Sequence, residues 1–144
     1  MTTSVEAGEI LHASSVAVGD AAVLILGPAG SGKSALALQL LALGGRLVAD
    51  DRTMVSRRQN HLLAACPPAL AGMIEARGVG ILSAEMAGST PLKLAVDLSR
   101  ESPSRLPPRE VFTLCDLEID LICAGGVPNL AAVILQVMKG GFAI

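Results

Sequence analysis

Apolar positions along this chain fall into short runs divided by glycine, proline and polar pairs, a spacing that predicts more strands than helices. The continuous run Ala21-Ala22-Val23-Leu24-Ile25-Leu26 reads as a buried strand. Ahead of it, Ile10, Leu11, Val16 and Val18, closed by Gly19-Asp20, predict a strand or hairpin leading in. After it, Leu36, Leu40 and Leu43 share one helical face, so a helix is expected over 35–43, stopped by Gly44-Gly45. Residues 46–49 predict a short strand ending in the carboxylates Asp50 and Asp51. Residues 53–56 continue extended, 57–60 make a polar turn, and 61–65 return as a strand until Cys66-Pro67-Pro68 breaks it. Leu92, Leu94, Val96 and Leu98 alternate as one face of a strand. Proline and arginine in 99–108 predict a loop of low order, and 114–122 a strand with Asp116, Glu118 and Asp120 on its solvated face. Asn129 is expected to cap a final helix over 130–139 that Gly140-Gly141 ends. The pattern as a whole predicts a single α/β domain over residues 1–144, strand-rich, with two helices.

Composition narrows the core chemistry. The chain is 51% hydrophobic, yet Phe112 and Phe142 are its only aromatics, so the interior must be aliphatic, with methionines as core fillers. A formal net charge of −2 argues against broad binding to nucleic acid or anionic membrane. Cys66, Cys115 and Cys123 form no metal-ligand spacing and are expected to be free thiols in a reducing cytoplasm. Residues 1–10 lack the basic and apolar regions of a signal peptide, and no apolar run approaches the ~20 residues of a membrane span. A cytoplasmic protein is the expectation.

The candidate chemistry begins at Gly27-Pro28-Ala29-Gly30-Ser31-Gly32-Lys33-Ser34. This G-x-x-x-x-G-K-S run lies between a predicted strand and a predicted helix, the context of a phosphate-binding loop. Its glycines let backbone N–H groups turn inward, and with the helix N-terminus they form an anion site. Lys33 is suited to the β- and γ-phosphates of a nucleotide, and the Ser34 hydroxyl to Mg²⁺. A nucleoside triphosphate is therefore the expected ligand. Transfer or hydrolysis also needs a carboxylate for the metal and another to orient the acceptor, which Asp50 and Asp51 can supply. Adjacent strand residues point to opposite faces, so the two are expected to hold separate roles. Glu75-Ala76-Arg77-Gly78-Val79-Gly80 adds an acid for a metal, a base for a phosphate, and two glycines for close backbone approach, although a surface turn explains the same pattern. His12 can act as a base or simply pack, and His61 has no sequence partner.

Leu11-His12, the loop from Gly27 to Ser34, Arg46-Leu47-Val48-Ala49-Asp50-Asp51-Arg52 and Ile74-Glu75-Ala76-Arg77-Gly78-Val79-Gly80-Ile81 together resemble the HPr kinase/phosphorylase family. The closest likeness is to the short proteobacterial form, a catalytic P-loop domain alone. The resemblance implies a fold similar to phosphoenolpyruvate carboxykinase. It also implies a serine protein kinase using ATP and Mg²⁺ on HPr, or on an HPr-like phosphocarrier of the phosphotransferase system, and a homo-oligomer, hexameric in the family. Carried across by position, it implies that Asp51 is the proton acceptor, that Lys33, His12 and Arg105 are active-site residues, and that Ser34, Glu75 and Asp50 lie at the metal. Glu75, Arg77, Gly78 and Gly80 belong to its signature loop. Where the family carries a glycine-arginine-asparagine turn linked to dephosphorylation, this chain has Gly126-Val127-Pro128-Asn129, which implies a kinase with weak or absent phosphorylase activity. Two alternatives remain open on the residues alone. One is a small-molecule kinase or NTPase, and the other is an ATP-sensing module without transfer.

Overall fold

The structure, a computed structural model, describes residues 8–144. Strands β1 (Glu9–Leu11) and β2 (Ala13–Val18) open it, and the turn Gly19-Asp20 reverses the chain into β3 (Ala21–Leu26). Helix α1 (Lys33–Ala42) follows, then β4 (Arg46–Ala49), β5 (Thr53–Arg58) and β6 (His61–Ala65). A short hairpin, β7 (Met73–Ala76) with β8 (Gly80–Ser83), precedes the long strand β9 (Thr90–Glu101). The last elements are β10 (Glu110–Leu114), β11 (Leu117–Gly125) and α2 (Leu130–Gly140). The result is a strand-rich α/β domain, as the pattern predicted. No helix among the described residues is long and apolar enough to cross a membrane.

The main sheet runs β10–β11–β9–β3–β2–β4, with β9 parallel to both β3 and β11 and the other neighbours antiparallel. The first residues of β9 also pair with β6, which attaches the antiparallel meander β1–β5–β6. The central strand β3 has no polar residue because both of its faces are covered. Val23 and Ile25 pack beneath Leu36 and Leu40 of α1 and Ile134 and Met138 of α2. Ala22 and Leu24 face the opposite cluster with Val48, Val55 and Leu62, which half-buried Phe112 and Leu114 close.

Several expectations are corrected. Leu92 does not share a face with Leu94 and Val96. A register shift sets Ala22 opposite Leu92 but Val23 opposite Leu94, so Lys93 is an extra residue. That bulge flips the strand, sending Leu92 to the second cluster and Leu94 and Val96 under the helices. Strand β9 continues through Glu101, which confines the coil to 102–109. Of the acidic trio, Glu118 is exposed on its strand as expected, whereas Asp116, also exposed, sits in the β10–β11 turn and half-buried Asp120 is held at 2.7 Å by Arg109. Met54, Met73 and Met86 are exposed and only Met138 is core among the described methionines. Asn129 makes no side-chain cap and instead adopts a left-handed conformation, φ 53°. The glycine stop after α1 is as expected. The Gly44 N–H bonds to the Leu41 carbonyl and the Gly45 N–H to the Leu40 carbonyl, the paired bonds of a Schellman end.

Candidate active site

The connection from β3 to α1 brings the glycine-rich loop to the edge of the sheet. Gly27 sits at φ 153°, and a Cβ there would lie 2.4 Å from the Ser31 Oγ, so only glycine lets the loop close on itself. The Ser31 hydroxyl is enclosed without a hydrogen-bond partner. Lys33, the first residue of α1, is 5% exposed, and its Nζ donates to the carbonyls of Gly27 (2.7 Å) and Pro28 (3.1 Å). The ammonium is therefore held within the loop. Ser34 donates its hydroxyl to Asp50 Oδ1 at 2.7 Å.

Asp50 follows the last residue of β4, and β4 lies antiparallel to β2, which delivers Ser14 to the same carboxylate. Ser14 Oγ donates to Asp50 Oδ1 at 2.8 Å, and the Glu75 N–H donates to Asp50 Oδ2 at 3.0 Å. A buried carboxylate needs such donors to offset its lost hydration. Here the donors come from β2, α1 and β7, so one carboxylate ties three elements together. Asp51 is different in every respect. It takes a left-handed conformation at φ 66°, its side chain is exposed, and its Oδ1 lies 2.6 Å from His12 Nε2. Its own N–H donates to Ser14 Oγ at 3.1 Å. The two aspartates thus occupy separate environments, as expected, but the cause is the left-handed turn at Asp51 beyond the end of β4 and not strand alternation.

A cleft of about 810 Å³ opens over these groups. His12 and Asp51 form one wall, Gly30, Lys33 and Ser34 the loop side, and Glu75 and Arg77 the hairpin side. Gly78 and Gly80 take φ values of 84° and 145° in the hairpin turn, which explains why glycine stands at both. Arg105 lies on the coil 102–109, outside the cleft lining. Ser14 was missed in the sequence. Its signal was a serine pair, Ser14-Ser15, inside an otherwise apolar strand and wholly buried. Nothing in the local pattern distinguished Ser14, which bonds the aspartates, from Ser15, which bonds Thr53 Oγ1 at 3.0 Å.

The groups whose titration is clearly displaced lie away from the cleft. Cys123 donates its thiol to Glu110 Oε2 at 3.0 Å, and Arg100 pairs with Glu110 Oε1 at 2.9 Å. These two bonds, the thiol's first, hold the Glu110 carboxyl below its ordinary range. Burial, with Glu110 beside it, pushes the Cys123 thiol up.

The residues fit a nucleotide phosphate with Mg²⁺. A loop whose glycine admits no Cβ, a lysine held at its rim, and a serine hydroxyl donating to a buried aspartate are the parts such a site requires. Mg²⁺ is commonly held by one or two carboxylates plus phosphate oxygens, so Ser34 and Asp50, with Glu75 beside them, form an adequate donor set. Among the described residues no cluster of three or more His, Cys, Asp or Glu side chains could hold a metal unaided.

Fold and site together define a class, a strand-rich α/β domain in which a glycine loop, a lysine and an exposed aspartate meet at one cleft, with a buried aspartate bonded to the loop serine behind it. Within that class, residues 4–102 match the family described as the HPr serine kinase C-terminal domain, and the chain belongs to that family. Among similar proteins are the HPr kinase/phosphorylases of Stenotrophomonas maltophilia (strain K279a), 45% identical over 86 residues, and of Xanthomonas campestris pv. campestris (strain B100), 44% identical over 85. Each match takes in 58% of this chain and 27% of the relative, so the matched segment spans about a quarter of their length. A solved structure described as the Hpr(Ser) kinase/phosphatase from Coxiella burnetii superposes with a TM-score of 0.75 at 23% identity. That superposition covers 91% of this chain and 88% of the other, so the shared fold extends into the segment beyond residue 102.

Proposed function

We propose that this chain is an ATP- and Mg²⁺-dependent protein kinase that phosphorylates a serine of HPr or an HPr-like phosphocarrier. The observation that carries the reading is the His12–Asp51 pair, 2.6 Å apart, sharing a cleft with Lys33 and Ser34. Nucleotide binding alone has no use for an exposed carboxylate held by a histidine across from the phosphate loop, whereas transfer to a hydroxyl does.

Bound MgATP supplies the phosphoryl group, and the metal offsets the charge on its oxygens. The chain's residues do the rest. Lys33 turns its ammonium donors to the phosphates, and the loop N–H groups hold them in place. Ser34 keeps its hydroxyl proton directed at Asp50 Oδ1, which leaves an oxygen lone pair free to face the metal. Asp51 Oδ1 is engaged by His12, which leaves Oδ2 to orient the incoming serine hydroxyl and take its proton as the new P–O bond forms and the bond to ADP breaks. Little activation of the nucleophile is needed for a loose transition state, so positioning is the main contribution. Family membership supports HPr as the acceptor, since the similar proteins are named for it. The reverse activity is weak or absent in this reading, because the turn before α2 holds no arginine.

The test is transfer of labelled γ-phosphate to purified HPr-like carriers, with Asp51→Asn and a chelator control beside the wild type. Labelled serine with wild type, lost in the variant and on chelation, is the expected result. ATP binding with no labelled carrier would overturn the kinase reading in favour of a sensor or a small-molecule kinase. Phosphate release from seryl-phosphorylated carrier as fast as its formation would overturn the claim about the reverse reaction.

A further inference from the structure

Among the described residues Ser14 is the one side chain that bonds to both aspartates. It lies in β2, fully buried, with its Oγ donating to Asp50 Oδ1 at 2.8 Å and accepting the Asp51 N–H at 3.1 Å. A hydroxyl has one proton to give and lone pairs to receive, so both contacts can be made at once. The proton points to the buried carboxylate and the lone pair to the following amide. That amide belongs to a residue at φ 66°, a conformation side chains other than glycine adopt at a cost unless the surroundings hold them there. Asp51 is exposed, and among the described residues its side-chain partners are His12 at the carboxylate and Ser14 at the N–H.

We infer that Ser14 is a positioning residue that sets the direction of the Asp51 carboxylate by clamping its backbone to the buried Asp50. The inference rests on the proposed kinase reading for its consequence in turnover, though the clamp itself is independent of the reaction. The physical chain is short. Asp50 is immobilised by α1 and β7 through Ser34 and the Glu75 N–H, and Ser14 is held in β2, paired with Ile25 of β3. The Asp51 N–H bonded between them fixes where the next side chain leaves the backbone. Losing the clamp leaves the loop's contacts in place, because Ser14 is not among the residues lining the cleft and Asp50 keeps its bonds from Ser34 and the Glu75 N–H. It lets the Asp51 carboxylate swing, and misplacement of about 1 Å can cost on the order of a hundredfold in rate.

The experiment compares Ser14→Ala with Ser15→Ala. Ser15 is equally buried one position along and loses a hydroxyl of the same size, while its partner Thr53 keeps its bond to the Ala13 carbonyl. For Ser14→Ala we expect kcat for carrier phosphorylation to fall by roughly 10–100-fold with KM for ATP within about threefold of wild type. Ser15→Ala should stay within about threefold on both. A folded Ser14→Ala with wild-type kcat, or a Ser15→Ala that loses as much, would overturn the assignment. A second readout needs no activity. The chain has two histidines, and the ¹⁵N signal of the His12 ring reports its bond to Asp51, with exposed His61 as an internal reference. The His12 signal should move in Ser14→Ala while that of His61 stays. If wild type labels no carrier, the kinase reading fails, and the histidine signals still decide the clamp: an unmoved His12 signal refutes it.

Discussion

Asp50 and Asp51 are neighbours in sequence, yet replacing them should damage different properties. Asp50 is 9% exposed and accepts three hydrogen bonds, two from serine hydroxyls and one from the Glu75 N–H. In Asp50→Ala the Ser14 and Ser34 hydroxyls lose the acceptor that the structure gives them. The Glu75 N–H loses its acceptor too, and orphaning it costs about 1–3 kcal/mol. At about 2–4 °C per kcal/mol for a chain of this size, the melting temperature should fall by roughly 3–10 °C. Asp51 has a side chain 52% exposed, paired with a histidine that is equally exposed. Such pairs contribute about 0–1 kcal/mol, and asparagine tolerates the left-handed conformation, so Asp51→Asn should melt within about 4 °C of wild type. Its phosphoryl transfer should nevertheless fall by about 10²–10⁴. Thermal unfolding by circular dichroism, beside the labelled transfer assay, separates the two effects. The reasoning fails if Asp50→Ala melts with the wild type, or if Asp51→Asn is the less stable of the pair.

Three further outcomes follow from the same geometry. Gly27→Ala sets a methyl 2.4 Å from the Ser31 Oγ at a φ of 153°, so affinity for a fluorescent ATP analogue should fall at least tenfold, and unchanged titration would show that the loop tolerates a Cβ. Leu40→Ala removes a wholly buried side chain from the α1 face of the core and should cost about 2–5 kcal/mol in urea unfolding, with a smaller loss meaning that the site collapses. Glu110 has its folded carboxyl value depressed by Cys123 and Arg100, so its stabilisation is present above the ordinary glutamate range and is lost as pH falls through the lowered value. Glu110→Gln should therefore melt below wild type at neutral pH and converge with it in acid, and a constant gap across that range would contradict the assignment.

Local physics made part of this protein legible in the chain. The β3 run, the glycine loop and the start of α1 follow from an uninterrupted apolar strand meeting residues whose backbone and charge suit an anion. The Gly44-Gly45 stop was equally readable, since a left-handed residue after a helix calls for glycine. Residue identities also named the candidates, because few side chains other than Lys33, Ser34, Asp50, Asp51 and Glu75 could serve such a loop. The sequence could not say how they meet. His12 reaches Asp51 across 39 positions, and Ser14 reaches Asp50 across 36, because β2 and β4 are antiparallel partners. Strand pairing of that range carries no local signature, since it is set by which faces must be buried together. The bulge at Lys93 makes the same point. Alternation put Leu92 with Leu94, but covering both faces of β9 required one extra residue, and only the packed sheet reveals where it went.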